Sequence, residues 1–242
     1  MILDIVYRTI EAMAHTKLNV FHWHLTDTHS FPFISNREPL LALYGAYSAS
    51  QVYTPEDIRD IVHYAMVRGV KVIPEFDAPA HVGSGWEWGE QAGLGKLALC
   101  INKEPWTDYC VEPPCGQLNP VNDNIYPILG NIYKDMSELF RSDIFHMGGD
   151  EVHMRCWNET EEILDWLKTK ERGDSKEDFL YLWSYFQNRS LTQLDEAYGN
   201  KQPVVLWTSG NFNQSLASLS NENVNSLFFF NSSLHDYLAI NR

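Results

Sequence analysis

Five short stretches of this 242-residue chain are apolar almost throughout: 19–25 (NVFHWHL), 70–76 (VKVIPEF), 143–147 (DIFHM), 203–207 (PVVLW) and 226–230 (SLFFF). A strand with one wet face alternates polar and apolar residues. A strand covered on both faces does not, and that is the condition of parallel strands flanked by helices. Helical patterns lie between these runs. In "TPEDIRDIVHYAMVRG", Thr54 is the N-cap, Pro55 takes the first helical position, acids fill the first turn and Gly69 is the stop. "NIYPILGNIYKDMSELF" and "ETEEILDWLKTK" carry the 3.6-residue apolar period, a longer helix is expected over 176–198, and the opening "MILDIVYRTIEAMAHT" reads as an amphipathic helix. Strand followed by helix, repeated, predicts a parallel α/β fold.

Two classes of such folds differ in the loop after each strand. No glycine-rich phosphate loop of either standard type is present, which argues against a nucleotide-binding sheet. Polar and aromatic residues gather instead where the runs end: "HWHLTD", "PEFDAPAH", "GGDE" and "LWTS". Reactive groups at strand C-termini characterise the (β/α)8 barrel. The segment from 78 to about 123 is too long for an ordinary connection and carries Trp86, Trp88, Trp106 and three of the four cysteines. It is expected to be an active-site loop pinned by disulfides.

Charge and cysteine usage narrow the partners. A net charge of −14 disfavours nucleic acid and anionic membranes, and no apolar run approaches the ~20 residues of a membrane span. No signal peptide is expected at Met1, where "MILDIVYRTIEAMAHT" has neither a basic start nor a small-residue cleavage site. Cys100, Cys110, Cys115 and Cys156 are spaced by ten, five and forty-one residues, which lacks the tight pairs of a zinc site and suits two disulfides of unspecified pairing. N-x-S/T sequons stand at Asn158, Asn188, Asn213 and Asn231. Disulfides and sequons together point to the secretory pathway.

Adjacent acids, Asp150 and Glu151, come after two glycines at the end of the 143–147 run. Like charges side by side offer a fold nothing, but glycoside hydrolysis needs one group to protonate the leaving oxygen and another to stabilise an oxocarbenium-like centre. Neighbours on a strand point to opposite sides, so both can serve one substrate only if Gly148 and Gly149 turn the chain. That arrangement suits an acid beside a substrate-holding carboxylate better than an acid beside a direct nucleophile. Trp207, at a strand end, is the best-placed platform for a sugar ring.

The stretches "TKLNVFHWHLTDTHSFPF", "PEFDAPAHVGSGW", "CGQLNP" and "HMGGDEV…CWN" resemble family-20 glycoside hydrolases, the β-N-acetylhexosaminidases. "EPWTDYCVEPPCGQLNP" is most similar to the insect chitin-degrading branch, and the likeness runs from about Tyr7 to Ser209. The resemblance implies a (β/α)8 barrel without cofactor, removing terminal β-linked N-acetylhexosamine from chitooligosaccharides or glycoconjugates. Its mechanism is retaining and substrate-assisted: the 2-acetamido oxygen attacks the anomeric carbon and forms an oxazolinium ion. It implies that Asp150 orients the acetamido group and that Glu151 is the acid/base. Asp27 and His81 would support Glu151, Trp207 would wall the acetamido pocket, and Trp106 with Val111 would line the leaving-sugar subsite. It further implies an extracellular or lysosomal location and, for full-length members, frequent dimerisation.

Residues 1–242 are expected to be a single catalytic barrel truncated at both ends, with about strands 2 to 5 or 6. The family's arginine-bearing strand before "RTIEAM" and the Tyr-x-Asp and Trp-x-Glu groups of its last strands are not found. Two other readings stay open. His22-x-His24 places two imidazoles on one strand face, as in metal-dependent barrel hydrolases, with His81, His146 and His153 as further candidates. A chain missing barrel strands would also suit an inactive homologue or a glycan-binding remnant.

Overall fold

The computed structural model describes residues 2–208 and 227–231. The chain runs α1 (Ile2–Thr16), β1 (Val20–His24), α2 (Pro39–Gly45), α3 (Pro55–Met66), β2 (Lys71–Glu75), β3 (Ala98–Leu99), β4 (Gln117–Leu118), α4 (Ile125–Phe140), β5 (Phe145–His146), α5 (Met154–Asn158), α6 (Glu161–Thr169), α7 (Lys176–Tyr198), β6 (Val204–Thr208) and β7 (Leu227–Asn231). Five strands form one parallel sheet in the order β1-β2-β5-β6-β7, and β3 pairs with β4 as a small antiparallel ribbon. Helices lie on the crossovers from β1 to β2, β2 to β5 and β5 to β6, so the sheet is an arc of a βα barrel. The strands fall within a residue or two of the apolar runs.

Helix boundaries obey local chemistry. Thr54 caps α3 by accepting the Asp57 N–H at 3.1 Å, and Asp57 accepts the Thr54 N–H at 2.9 Å. Ser175 and Asp178 repeat this reciprocal cap on α7. The expected stop at Gly69 is displaced. Helix α3 ends at Met66, and Gly69, at φ +72°, turns the chain into β2 while the Val70 N–H bonds the Ala65 carbonyl at 3.0 Å. Helices α2 and α5, of seven and five residues, were not expected because neither is long enough to show a period.

Register positions the functional face. His24 pairs with Glu75, Glu75 with His146, and His146 with Val205. Paired residues on parallel strands share a face, and residues two apart share it too. His22, His24, Glu75, His146 and Trp207 therefore belong to one inward face at the strand C-termini. Behind the sheet, Tyr133, Phe145, Trp157, Trp183 and Phe186 are buried in a core between the strands and α4, α5 and α7.

Candidate active site

The two adjacent acids sit in a turn. After β5, Gly148 (φ +65°), Gly149 (φ +101°) and Glu151 (φ +52°) all take the left-handed conformation, so Asp150 and Glu151 cannot splay as strand neighbours would. A Cβ on Gly148 would run into the Asp77 carboxyl, and one on Gly149 would lie 2.9 Å from Gln187 Nε2. Both acids instead face one imidazole: His81 Nε2 is 3.4 Å from Glu151 Oε2 and 3.7 Å from Asp150 Oδ1. His81 itself has φ +56°. A non-glycine residue in this region costs free energy, and here both partners bear that strain.

Outer groups hold the turn. Asp77 Oδ1 accepts the Gly149 N–H at 2.8 Å, and the Trp183 indole donates to the Gly149 carbonyl at 2.9 Å. Gln187 donates to the Ala78 carbonyl at 3.2 Å. Gln117 clamps the far side, donating to the His153 carbonyl at 3.3 Å and accepting its N–H at 3.1 Å. None of Glu75, Asp77, Gln117, Trp183 and Gln187 was assigned a role from sequence. The available signal was the pair of acids two residues apart closing the second strand, Glu75 and Asp77.

Behind His81 runs a chain of alternating charges. His81 Nδ1 lies 3.1 Å from Asp27 Oδ1, Asp27 Oδ2 lies 3.3 Å from His24 Nε2, and His24 Nδ1 lies 3.0 Å from Glu75 Oε2. Glu75 is fully buried and is also approached by His22 Nε2 at 2.7 Å, His146 Nδ1 at 3.1 Å and the Trp207 indole N–H at 2.8 Å. Burial alone would lower the pKa of His24, but Asp27 and Glu75 on its two nitrogens push it up to about 11. His81 is likewise raised: burial opposes this, and Asp77, Asp27, Glu151 and Asp150 overcome it. Burial would raise Asp27, yet His24 and His81 hold it well below the usual carboxylate range. Asp150 is lifted above its ordinary value, first by burial and then by the charges of Glu151 and Glu75.

The long segment after β2 closes over this network. Cys100–Cys156 ties it to α5, just beyond Glu151, and Cys110–Cys115 closes the small loop bearing Val111. Val111 lines a small cleft together with His81, Glu151, Thr28 and Gln117. Trp106 lies on the turn before Cys110, partly exposed, and does not line that cleft. The larger cavity, about 580 Å³, lies at the opposite end of the strands against Arg59, Lys71 and Asp143 and contains none of these groups. Asn158 and Asn188 are exposed, whereas Asn213 and the side chain of Asn231 lie outside the described residues.

His22, Glu75 and His146 bring ligand atoms within 4.8 Å of one another, as do two sets built on Asp77. Glu75, however, already has the Trp207 indole N–H on Oε1 and the His22 and His24 ring nitrogens within 3.0 Å of Oε2, so both oxygens are occupied by protein groups. His153 stands apart from these sets, its backbone bound to Gln117.

A βα-barrel arc with two acids in the turn after β5 places them on the face where barrel enzymes keep their active sites. The description "Glycosyl hydrolase family 20, catalytic domain" matches residues 1–226, and the chain belongs to that family. It is 51% identical over 208 residues to the chitooligosaccharidolytic β-N-acetylglucosaminidase of Bombyx mori, covering 86% of this chain and 34% of that protein. It is 39% identical over 190 residues to the Homo sapiens β-hexosaminidase subunit beta, covering 78% and 32% respectively. The chain thus spans about a third of the length of these relatives. Among solved structures, the Flavobacterium johnsoniae chitobiase superposes with a TM-score of 0.69 at 24% identity over 95% of this chain and 36% of that one, a likeness of fold. The expected (β/α)8 class is therefore the class found.

Proposed function

We propose that this chain carries the core of a retaining, substrate-assisted β-N-acetylhexosaminidase acting on terminal β-linked N-acetylhexosamine in chitooligosaccharides or glycoconjugates. The observation that carries the reading is the turn that sets Asp150 and Glu151 against a single imidazole. Direct displacement needs a carboxylate reaching the sugar carbon from opposite the acid. Two acids on one side of one turn suit a division of labour instead. Asp150, nearly buried, orients the acetamido N–H and stabilises charge on the cyclised intermediate. Glu151, more open to the cleft, protonates the leaving oxygen and then activates water. Asp27 and His81 hold Glu151 in place, Trp207 walls the acetamido group and Val111 borders the leaving sugar at the small cleft, while the same role for Trp106, which lies outside that cleft, rests on the family likeness alone.

On this reading residues 1–242 are one catalytic unit of a longer barrel. The two disulfides and the exposed sequons at Asn158 and Asn188 support a secretory-pathway protein, extracellular or lysosomal. Among the described residues no helix is long and apolar enough to cross a membrane. Dimerisation rests on the family likeness alone.

Glu151→Gln tests the acid/base role. Hydrolysis of a substrate with a poor leaving group should fall by about 10²–10⁴-fold, while an activated aryl glycoside should be spared in its first step. Equal loss on both substrates would refute the role.

A further inference from the structure

Among the described residues, Glu75 is the carboxylate that touches both halves of the site, and the proposed reaction gives it no task. One oxygen, Oε2, lies 3.0 Å from His24 Nδ1 and 2.7 Å from His22 Nε2; the other, Oε1, accepts the Trp207 indole N–H at 2.8 Å and lies 3.1 Å from His146 Nδ1. Through His24 it reaches Asp27, hence His81 and Glu151. Through Trp207 it reaches the wall assigned to the acetamido group. These two branches come from different strands, β1 and β6, which are not neighbours in the sheet. The partly buried ring of Trp207 rests 4.5 Å from the His146 ring and 5.5 Å from that of His22, so packing sets the plane of the indole while Glu75 sets its rotation.

We propose that Glu75 is a positioning residue that fixes the acid/base branch and the acetamido wall to one buried carboxylate, so that the two halves of the site are set relative to each other. The proposal rests on the hexosaminidase reading for the roles of the two branches, while the coupling itself is a property of the fold. The alternation Glu75, His24, Asp27, His81 places opposite charges next to each other along the row, and removing the first member unbalances the whole of it. The charged and titratable groups facing Glu75 are His22 and His24 from β1, Asp77 from beyond β2, and His146 with Asp150 from β5 and its turn. A neutral, shorter-reaching or one-sided replacement cannot satisfy both branches. Glu75→Gln keeps the volume but presents an amide N–H to one branch in place of an acceptor.

Mutating one branch and reading the other tests this without depending on turnover. In nitrogen-15-labelled full chain, His24→Gln should move the resonance of the Trp207 indole N–H, assigned by its loss in Trp207→Phe. Trp207→Phe should in turn shift the titration of the His24 ring. The two side chains share Glu75 and are joined by no direct contact among the described interactions. In Glu75→Gln the His24 midpoint should fall from about 11 toward 6.5, the Trp207 signal should move upfield, and kcat/KM should drop about 10²-fold. If Glu75→Gln does not fold, the two single-branch variants decide the matter. Branches that leave each other unmoved would overturn the proposal. A parent protein that turns over no N-acetylhexosaminide, while the cross-branch shifts appear, would fail the functional reading and leave the coupling standing.

Discussion

Glu75 and Asp77 stand two residues apart at the end of β2, both excluded from solvent, and their protons go opposite ways. Burial pushes both carboxyls up. At Glu75 the imidazoles of His146, His22 and His24 reverse that effect and hold it well below the usual range. At Asp77 burial wins, reinforced by Asp150 and Glu75 and only partly offset by His81, so its carboxyl is raised well above the ordinary value. Equal desolvation thus leaves one carboxyl held low and the other pushed up, and the partners decide which. Glu75 is surrounded by imidazoles. Asp77 sits beside Asp150, where a second negative charge is unfavourable.

The largest effect that would break this contrast belongs to Glu75. Its lowered pKa stabilises the fold above its unfolded value of about 4.3, and that contribution is lost as pH falls through the folded value. Glu75→Gln leaves the imidazolium of His24 without its buried partner. It should destabilise the protein by about 3–5 kcal/mol at neutral pH and flatten the acid side of a stability–pH profile measured by denaturant unfolding. A loss below about 1 kcal/mol, with the acid slope unchanged, would place Glu75 in the same category as Asp77.

Gly148→Ala comes next. At φ +65° the added Cβ meets both backbone strain and the Asp77 carboxyl, and stability should fall by about 1–3 kcal/mol, with activity lost through the shifted turn. Gly69→Ala is the control, because its φ of +72° carries the strain but nothing lies within 4 Å of the new atom. Equal costs at the two sites would show that the Asp77 contact contributes nothing.

Asp77→Asn should cost the least. A raised folded pKa means that stability is fully present below the unfolded value of about 3.9 and declines as pH rises toward the folded value. An amide resembles the protonated acid but takes up no proton on folding, so the variant should be no less stable than the parent at pH 7 and should lose that part of the decline with pH. A decline left unchanged by the substitution, with lower stability at pH 7, would mean that Asp77 is an anion in the folded protein.

Much of this arrangement was legible from the chain and some was not, for reasons that differ by element. The parallel strands could be placed because doubly covered strands are written as continuous apolar runs, and α3, α4 and α7 because they are long enough to show helical patterning, with a readable N-cap at Thr54 for α3. Asp150, Glu151 and Trp207 stood out because their residue types sit where runs end. Glu75 and Asp77 lay in an equally conspicuous place, but their opposite roles depend on His22, His24, His146 and Asp150 arriving from other strands. The pairing Cys100–Cys156 depends on where the 78–123 segment folds back, which no spacing encodes. His22 and His24 invited a metal. Their nearest partner is a carboxylate that the imidazoles and an indole already surround.

In the proposed reaction Asp150 holds the acetamido group while that group, and not the protein, attacks the sugar carbon. The most direct test is calorimetric binding of a thiazoline mimic of the cyclised intermediate to the parent protein and to Asp150→Asn, with N-acetylglucosamine as reference. Tight binding to the parent, about 10²-fold or more weaker binding to the variant, and little change for the reference sugar are expected, because the interaction strengthens as charge develops on the ring. Equal binding of the mimic to both proteins, or none to a parent that hydrolyses the glycoside, would contradict the claim.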